Sequence, residues 1–114
     1  VIDYGPFSKE SCDYPVYGHA VGAAVANGEA DRGILVCGTG FGISLAAGNV
    51  KGVRAICCSD IYTARLTREH NNANVLCMGA RTIGPGLALM IVDKFVDTPF
   101  SNDERHVRRI KMFS

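Results

Sequence analysis

The segment Cys37–Ser44 carries the residues of this sequence that are best suited to chemistry. It reads CGTGFGIS, a cysteine followed by alternating glycines and then by residues that can begin a helix. Glycines let successive backbone N–H groups turn toward one bound group, and the start of a helix adds partial positive charge. The segment is therefore expected to hold a phosphate or a developing oxyanion. It has neither the lysine of a Walker loop nor the spacing of a dinucleotide-binding loop, which disfavours nucleotide binding.

Cys37 itself is a candidate base or nucleophile. A thiol in water has a pKa of about 8.5, and a helix N-terminus beside it lowers that value, which gives a reactive thiolate near neutral pH. The position at the end of an apolar run also suits a thiol packed in the core. The residue and its position leave both interpretations open.

Two further clusters hold polar groups. The first, residues 67–72, reads TREHNN, and its histidine, His70, is either a general acid or base or a capping or solvated histidine. The second cluster comprises Arg81 and the residues of a basic tail. Guanidinium groups bind phosphate bidentately, although a solvated tail would have the same composition. The basic residues of this tail are Arg105, His106, Arg108 and Arg109.

The elements that must position these residues follow from a regular pattern. Short apolar runs alternate with amphipathic stretches, which predicts βαβ units in an α/β fold: a Rossmann-like, doubly wound parallel sheet in three α/β/α layers. Ligands of such sheets bind at the carboxyl ends of the strands, where Cys37 is expected. The predicted strands are Gly33–Cys37, Arg54–Cys58 and Asn74–Met78. The predicted helices run from an N-cap at Asp13 to about Asn27, from Ile43 to Ala47, from Asp60 to Arg68, and from Leu87 to Val96, the last opened by Gly84 and Pro85.

The first residues are predicted to be the end of a strand, Val1–Ile2, with no lead-in. A doubly wound domain needs a strand and a helix before this point. The first strand and helix are therefore expected to be missing, and the chain is expected to be a fragment.

Composition excludes several classes of protein. The 114 residues predict one domain, 1–114, and a net charge of +1 provides no basic field for nucleic acid. The longest uncharged run, Gly33–Val50, has 18 residues and is short of the roughly 20 apolar residues of a membrane span, and without signal-peptide features a cytoplasmic protein is expected. Five cysteines without a CxxC pair argue against a disulfide framework or a metal site, and Cys57, Cys58 and Cys77 are expected to pack in the core.

Three separated motifs, taken in order, resemble the ribose-5-phosphate isomerase B and galactose-6-phosphate isomerase family. They are CGTGFGIS, the run GVRAICCSDIYTARLTREHNNANVLCMGAR from Gly52 to Arg81, and RHVRR from Arg105 to Arg109. The resemblance covers essentially the whole chain. It implies an aldose–ketose isomerase of the pentose phosphate pathway that opens the sugar ring and moves a proton between C2 and C1 through a cis-enediolate, with no cofactor and no metal.

The resemblance also implies a role for each matching residue. Cys37 would be the base that carries the proton, His70 would assist ring opening, and Thr39 would lie beside them. Substrate contacts would come from the glycine segment and from Asn71, Asp13 and Tyr14, and phosphate contacts from Arg81, Arg105 and Arg109. The substrate-binding residues of the glycine segment would be Gly38, Gly40, Phe41, Gly42 and Ser44.

The family implies a homodimer or tetramer with active sites shared between subunits, so the tail 103–114 is expected in the subunit interface. Two features of the family have no counterpart here: an Asn-Lys pair after the glycine segment, where this chain has Gly48 and Asn49, and an Asp-His pair on the first loop. Ribose 5-phosphate is the expected substrate, with galactose 6-phosphate or allose 6-phosphate as alternatives. Two other functions remain open, a covalent cysteine enzyme that uses Cys37 and His70, and a non-catalytic sugar-phosphate-binding fragment.

Overall fold

Three parallel strands form the sheet of this protein, whose computed structural model describes residues 1–113. The strand order is β1-β3-β2, and Gly33 and Ala55 both lie opposite Val75, so the carboxyl ends of the strands share one edge. The predicted α/β parallel sheet is thereby confirmed. The strands are β1 (Gly33–Cys37), β2 (Ala55–Cys57) and β3 (Val75–Gly79); the helices are α1 (Tyr14–Ala26), α2 (Phe41–Gly48), α3 (Ile61–Asn71), α4 (Pro85–Asp97) and α5 (Glu104–Lys111).

The central strand β3 is buried over its whole length, as its continuous apolar sequence VLCMG requires. Alternate side chains point to opposite faces of the sheet. Val75 and Cys77 pack with residues of α1 and α2 on one face, whereas Leu76 and Met78 pack with residues of α3 and α4 on the other. The sheet and the helices packed on its two faces form the three layers, with one small core on each side of the sheet.

Capping residues set the helix starts that matter for function. Asp60 accepts a hydrogen bond from the Thr63 backbone N–H at 2.7 Å and begins α3. Asp103 accepts from the Arg105 N–H at 3.0 Å and begins α5. The segment predicted as a basic tail is therefore a helix, with acidic groups at its start and basic groups at its end, as the helix dipole favours. Asp13 occupies the N-cap position of α1, but its side chain makes no capping hydrogen bond.

Several predicted boundaries were wrong. Helix α3 continues to Asn71, so His70 and Asn71 lie in its last turn and not in a loop. Helix α2 begins at Phe41, two residues earlier than predicted. Val1 and Ile2 are exposed and belong to no strand. Ser114, the last residue of the predicted domain and tail, lies outside the described residues.

Within residues 1–113, β1 pairs with β3 alone and its other edge faces a groove of about 870 Å³. The groove is lined by apolar residues of β1 and α1 together with Val92 and Val96 of α4. No helix in this part of the chain is long and apolar enough to cross a membrane.

Candidate active site

Cys37 ends strand β1 at the carboxyl edge of the sheet, as predicted. Its carbonyl accepts the Ala80 N–H at 2.8 Å, which joins the ends of β1 and β3. Its Sγ accepts the Gly40 N–H at 3.2 Å. The thiol is half-buried, so it has both protein donors and access to a ligand.

The glycine segment favours the thiolate form of Cys37. Burial on its own would raise the pKa of this thiol, but backbone N–H groups directed at the sulfur outweigh it and hold the pKa below its ordinary value. These donors belong to Ile43, Gly40, Thr39 and Gly42. The same amides would stabilise an oxyanion that develops beside the thiol.

Gly40 must be glycine. Its φ of +86° is left-handed, and an added Cβ would lie 2.6 Å from Cys57 Sγ and 2.8 Å from the Met78 carbonyl carbon. A residue with a Cβ disfavours this left-handed φ, and the close packing around Gly40 leaves no room for the added atom. The loop backbone therefore packs directly against the ends of β2 and β3, and this packing holds the Gly40 N–H toward Cys37 Sγ.

Thr39 lies on the exposed side of this loop. Its Oγ1 accepts the Phe41 N–H at 3.3 Å, which leaves the hydroxyl proton able to meet a ligand. Ser44 instead donates its hydroxyl to the Phe41 carbonyl at 2.8 Å, inside α2. Thr39 is thus placed to contact a ligand, whereas Ser44 stabilises the first turn of the helix.

Tyr14 and Arg81 lie on either side of the loop. A Cβ added to Gly42 would be 2.6 Å from the Tyr14 hydroxyl oxygen, so this ring packs directly on the backbone of α2. A Cβ added to Gly38 would be 3.5 Å from Arg81 Cζ, and the Arg81 backbone N–H donates to the Gly38 carbonyl at 3.0 Å. An exposed guanidinium therefore lies beside the candidate anion-binding loop.

His70 and Asn71 are not at this edge. Helix α3 leaves the carboxyl end of β2 and returns the chain to the start of β3, so its last turn lies at the amino edge. At about 3.3 Å per residue, a five-residue strand separates the two edges by about 13 Å. Within one chain, the structure does not bring His70 or Asn71 to Cys37.

Helix α5 packs beside His70, which is exposed, and forms a second polar cluster with it. The rings of His70 and His106 have centroids 4.4 Å apart, and His106 Nδ1 lies 3.2 Å from Ser101 Oγ. Burial, together with His70 and Arg105, lowers the pKa of His106. Arg105 and Arg109, one helical turn apart and both exposed, belong to this cluster. The three predicted phosphate ligands are thus divided, with Arg81 at one edge and the other two at the opposite edge.

Arg68, for which the sequence predicted no role, ties the end of α3 to the residue that follows α4. It is 1% exposed, and its guanidinium donates to Thr98 O at 3.0 Å, Asn72 Oδ1 at 2.8 Å and Ala73 O at 2.6 Å. Burial, with Arg32 and Arg54 nearby, lowers its pKa to about 10, so it remains charged at neutral pH. The spacing from Ala64, one turn earlier, was the signal that Arg68 lies on the inner face of α3.

Two of the three expected core cysteines are buried, Cys58 at 6% and Cys77 at 0% exposure. Cys57 is half-buried; it packs against the core cluster of α1 and α2, as predicted, and it also contacts the glycine segment. His106, which contacts His70, belongs to the basic tail that was expected to serve the pocket of a neighbouring subunit; its contact with His70 was not predicted. Within residues 1–113, no group of three or more His, Cys, Asp or Glu side chains could hold a metal ion.

A family model described as Ribose/Galactose Isomerase matches residues 1–113. The chain belongs to this family. Ribose-5-phosphate isomerase B of Escherichia coli K12 is 50% identical over 111 residues, which make up 97% of this chain and 74% of that protein. The family assignment made from the three motifs is confirmed.

Solved structures of the Ribose/Galactose Isomerase family confirm the fold class. The type B ribose 5-phosphate isomerase of Trypanosoma brucei has a TM-score of 0.93 and 51% identity, over 95% of this chain and 72% of that one. The ribose-5-phosphate isomerase B of Mycoplasma genitalium, solved with bound ribulose-5-phosphate, has a TM-score of 0.92 and 42% identity, over 97% of this chain and 74% of that one.

Proposed function

We propose that this protein is an aldose–ketose isomerase that interconverts ribose 5-phosphate and ribulose 5-phosphate. The observation that carries the proposal is Cys37, a half-buried thiol whose pKa is held low by the amides of its own glycine loop. Membership of the Ribose/Galactose Isomerase family and the 50% identity to ribose-5-phosphate isomerase B of Escherichia coli support the same reaction.

The reaction needs what this loop offers. A C–H bond next to a carbonyl is a weak acid, so its deprotonation requires a positioned base and donors that already face the oxygen on which charge develops. The Cys37 thiolate takes the proton from C2 of the open-chain aldose and becomes a thiol, while the electron pair forms the cis-enediolate. A proton passes from the C2 hydroxyl to the C1 oxygen along the cis edge of the enediolate, and the thiol returns its proton to C1, which gives the ketose and restores the thiolate. The N–H groups of Gly38–Gly42 stabilise the enediolate oxygen, and the Thr39 hydroxyl donates beside them.

Ring opening requires a second proton-transfer group, and we assign it to His70 of a second copy of the chain. Within one chain His70 lies at the opposite edge of the sheet from Cys37. A symmetric dimer can bring the α3–α5 cluster of one copy to the glycine loop of the other, and does so twice. Phe41 and Leu45, exposed and one turn apart on α2, provide an apolar surface next to the loop for that contact.

The same assembly collects the phosphate ligands. Arg81 would approach from the copy that supplies Cys37, and Arg105 and Arg109 from the copy that supplies His70. Three guanidinium groups suit a dianionic phosphate. Asn71 would then hold a sugar hydroxyl, and Tyr14, which packs on Gly42, would border the sugar. Asp13, exposed at the start of α1 and without a capping bond, would reach it from the same side.

A hexose phosphate is the second candidate substrate, because the family description includes galactose isomerases. Pentose and hexose phosphates differ by one CHOH group, so the phosphate ligands need to shift only slightly. Ribose 5-phosphate, allose 6-phosphate and galactose 6-phosphate should be compared by kcat/KM under one set of conditions. The proposal predicts the highest value for ribose 5-phosphate, and a higher value for either hexose phosphate would reject the assigned substrate.

Solvent isotope exchange tests the assigned base. In deuterium oxide, turnover of ribose 5-phosphate should place deuterium at C1 of the ketose or at C2 of the aldose. A Cys37→Ala variant should lose about 10²–10⁴-fold in kcat, the usual contribution of a general base. Cys12→Ala, which removes an exposed thiol, is the matched control and should retain turnover. Unchanged turnover in Cys37→Ala would reject Cys37 as the base, and a sugar or phosphoryl group trapped on Cys37 would favour covalent catalysis.

A further inference from the structure

Cys57 is the second thiol beside the glycine loop. It ends β2, is half-buried, and lies with its Sγ 3.6 Å from the Thr39 carbonyl oxygen, to which it donates. The same sulfur touches the loop backbone, because a Cβ added to Gly40 would lie 2.6 Å from it. Cys57 also packs against the core cluster of α1 and α2, so its side chain lies between that core and the glycine loop.

The contact reaches Cys37 through one peptide group. The Thr39 carbonyl and the Gly40 N–H belong to the same planar unit and point in opposite directions. The carbonyl accepts from Cys57 at one end, while the N–H donates to Cys37 Sγ at 3.2 Å at the other. Any rotation of this plane that breaks the first hydrogen bond also misdirects the second.

The two thiols have opposite preferences for their protons. Burial, and then the nearby Cys37, raise the pKa of Cys57, whereas the loop amides lower that of Cys37. Cys57 therefore remains an S–H donor at a pH at which Cys37 ionises. Polarisation along such a chain strengthens the donor at its far end.

We propose that Cys57 is a positioning residue for the catalytic base, and that it acts by holding the Thr39–Gly40 peptide so that its N–H points at Cys37 Sγ. The importance of this contact for catalysis rests on the proposed role of Cys37. The contact itself exists without substrate and can be measured without turnover.

The test is the pH dependence of Cys37 alkylation by iodoacetamide, followed by mass analysis of the Cys37 peptide. Cys57→Val removes the donor and fills the site with a slightly larger apolar side chain, Cys57→Ala removes the donor and part of the volume, and Cys57→Ser keeps a donor at nearly the volume of alanine. A sulfur donor is weak, so we expect its loss to raise the Cys37 pKa modestly and to slow alkylation near neutral pH about two- to threefold, where one pKa unit is tenfold. Cys57→Ser should stay close to the unaltered protein. Cys58→Ala, which alters the next thiol on the far side of the sheet, is the matched control and should leave the Cys37 profile unchanged.

A Cys57→Val profile that coincides with the unaltered protein would overturn the proposal, because packing alone would then suffice. A Cys57→Ser profile that coincides with Cys57→Val would overturn it too, since restoring a donor would have no effect. Hydrogen exchange of the Gly40 amide gives an independent readout: the proposal requires faster exchange in Cys57→Val than in Cys57→Ser. If Cys57→Val shifts the profile while Cys37→Ala retains turnover, the positioning stands and the proposed function fails.

Discussion

A mixture of two inactive variants should regain activity if each active site takes residues from two copies of the chain. The variants are Cys37→Ala, which removes the base at the carboxyl edge, and His70→Asn, which removes the imidazole at the amino edge. In a mixed dimer, one site receives Cys37 and His70 intact from different copies, and the other receives both substitutions. Each parent alone has a defect in both of its sites.

The magnitude follows from this geometry. Random pairing of equal amounts yields roughly half mixed dimers, each with one intact site of two, so the mixture should reach about a quarter of the activity of the unaltered protein. Each parent alone should show less than about a hundredth of that activity, the usual cost of losing a general acid or base. The expected gain is therefore at least about 25-fold over either parent.

The assay requires exchange of subunits. The two variants are unfolded together in urea, refolded, and assayed for ketose formed from ribose 5-phosphate, with the unaltered protein treated in the same way. Cys37→Ala mixed with Cys37→Ser is the control and should recover nothing, because both defects lie at the same edge. Activity of the Cys37→Ala and His70→Asn mixture that equals the mean of its parents would refute the shared site.

Three further outcomes are expected. Gly40→Ala should lower the free energy of unfolding by about 2–4 kcal/mol, through its left-handed backbone and its clash with the strand ends, whereas Gly28→Ala, with similar φ but open space around it, should cost only about 1–2 kcal/mol in urea denaturation. Arg68→Met should cost about 2–4 kcal/mol because two buried carbonyls and the half-buried Asn72 side chain lose their charged donor, while Arg65→Met on the exposed face of the same helix should cost less than about 0.5 kcal/mol. The kcat/KM for ribose 5-phosphate should rise with pH through the lowered pKa of Cys37 and level off below the pH at which an ordinary thiol ionises, and a rise only at the pH of an ordinary thiol would contradict the low pKa.

The local features of the site could be predicted from sequence because they depend on short segments. An apolar run that ends in a cysteine followed by alternating glycines is enough to predict a strand that ends in a glycine turn, and Cys37 lies there. The strand is not buried throughout as predicted, because Ile34 and Val36 are exposed. Helix ends were less accurate. The segment around His70 reads as a polar loop, but the left-handed C-cap at Asn72 and the buried Arg68 extend the helix through it.

The edge of the sheet at which each polar cluster lies could in principle have been predicted from the sequence. A helix between parallel strands must carry the chain back to the amino edge of the sheet. Within one chain, a residue in the last turn of that helix therefore cannot contact a residue at the carboxyl end of a strand. From the sequence alone, His70 was expected near an end of the sheet, but which end was left open. The parallel register of β1 and β3 decides it, and with it the division of the arginines between two edges.

The sequence by itself determined the family, the parallel α/β fold and the thiol with its ring of amides, because each depends on residues that are close together in the chain or on motifs that occur in a fixed order. Only the tertiary structure decided which distant side chains meet. The strand order β1-β3-β2 brings Cys57 against the loop of Cys37, and the packing of α5 on α3 brings His106 against His70. Contacts of this kind depend on how elements pack across the sheet, and no local pattern of residues encodes that arrangement.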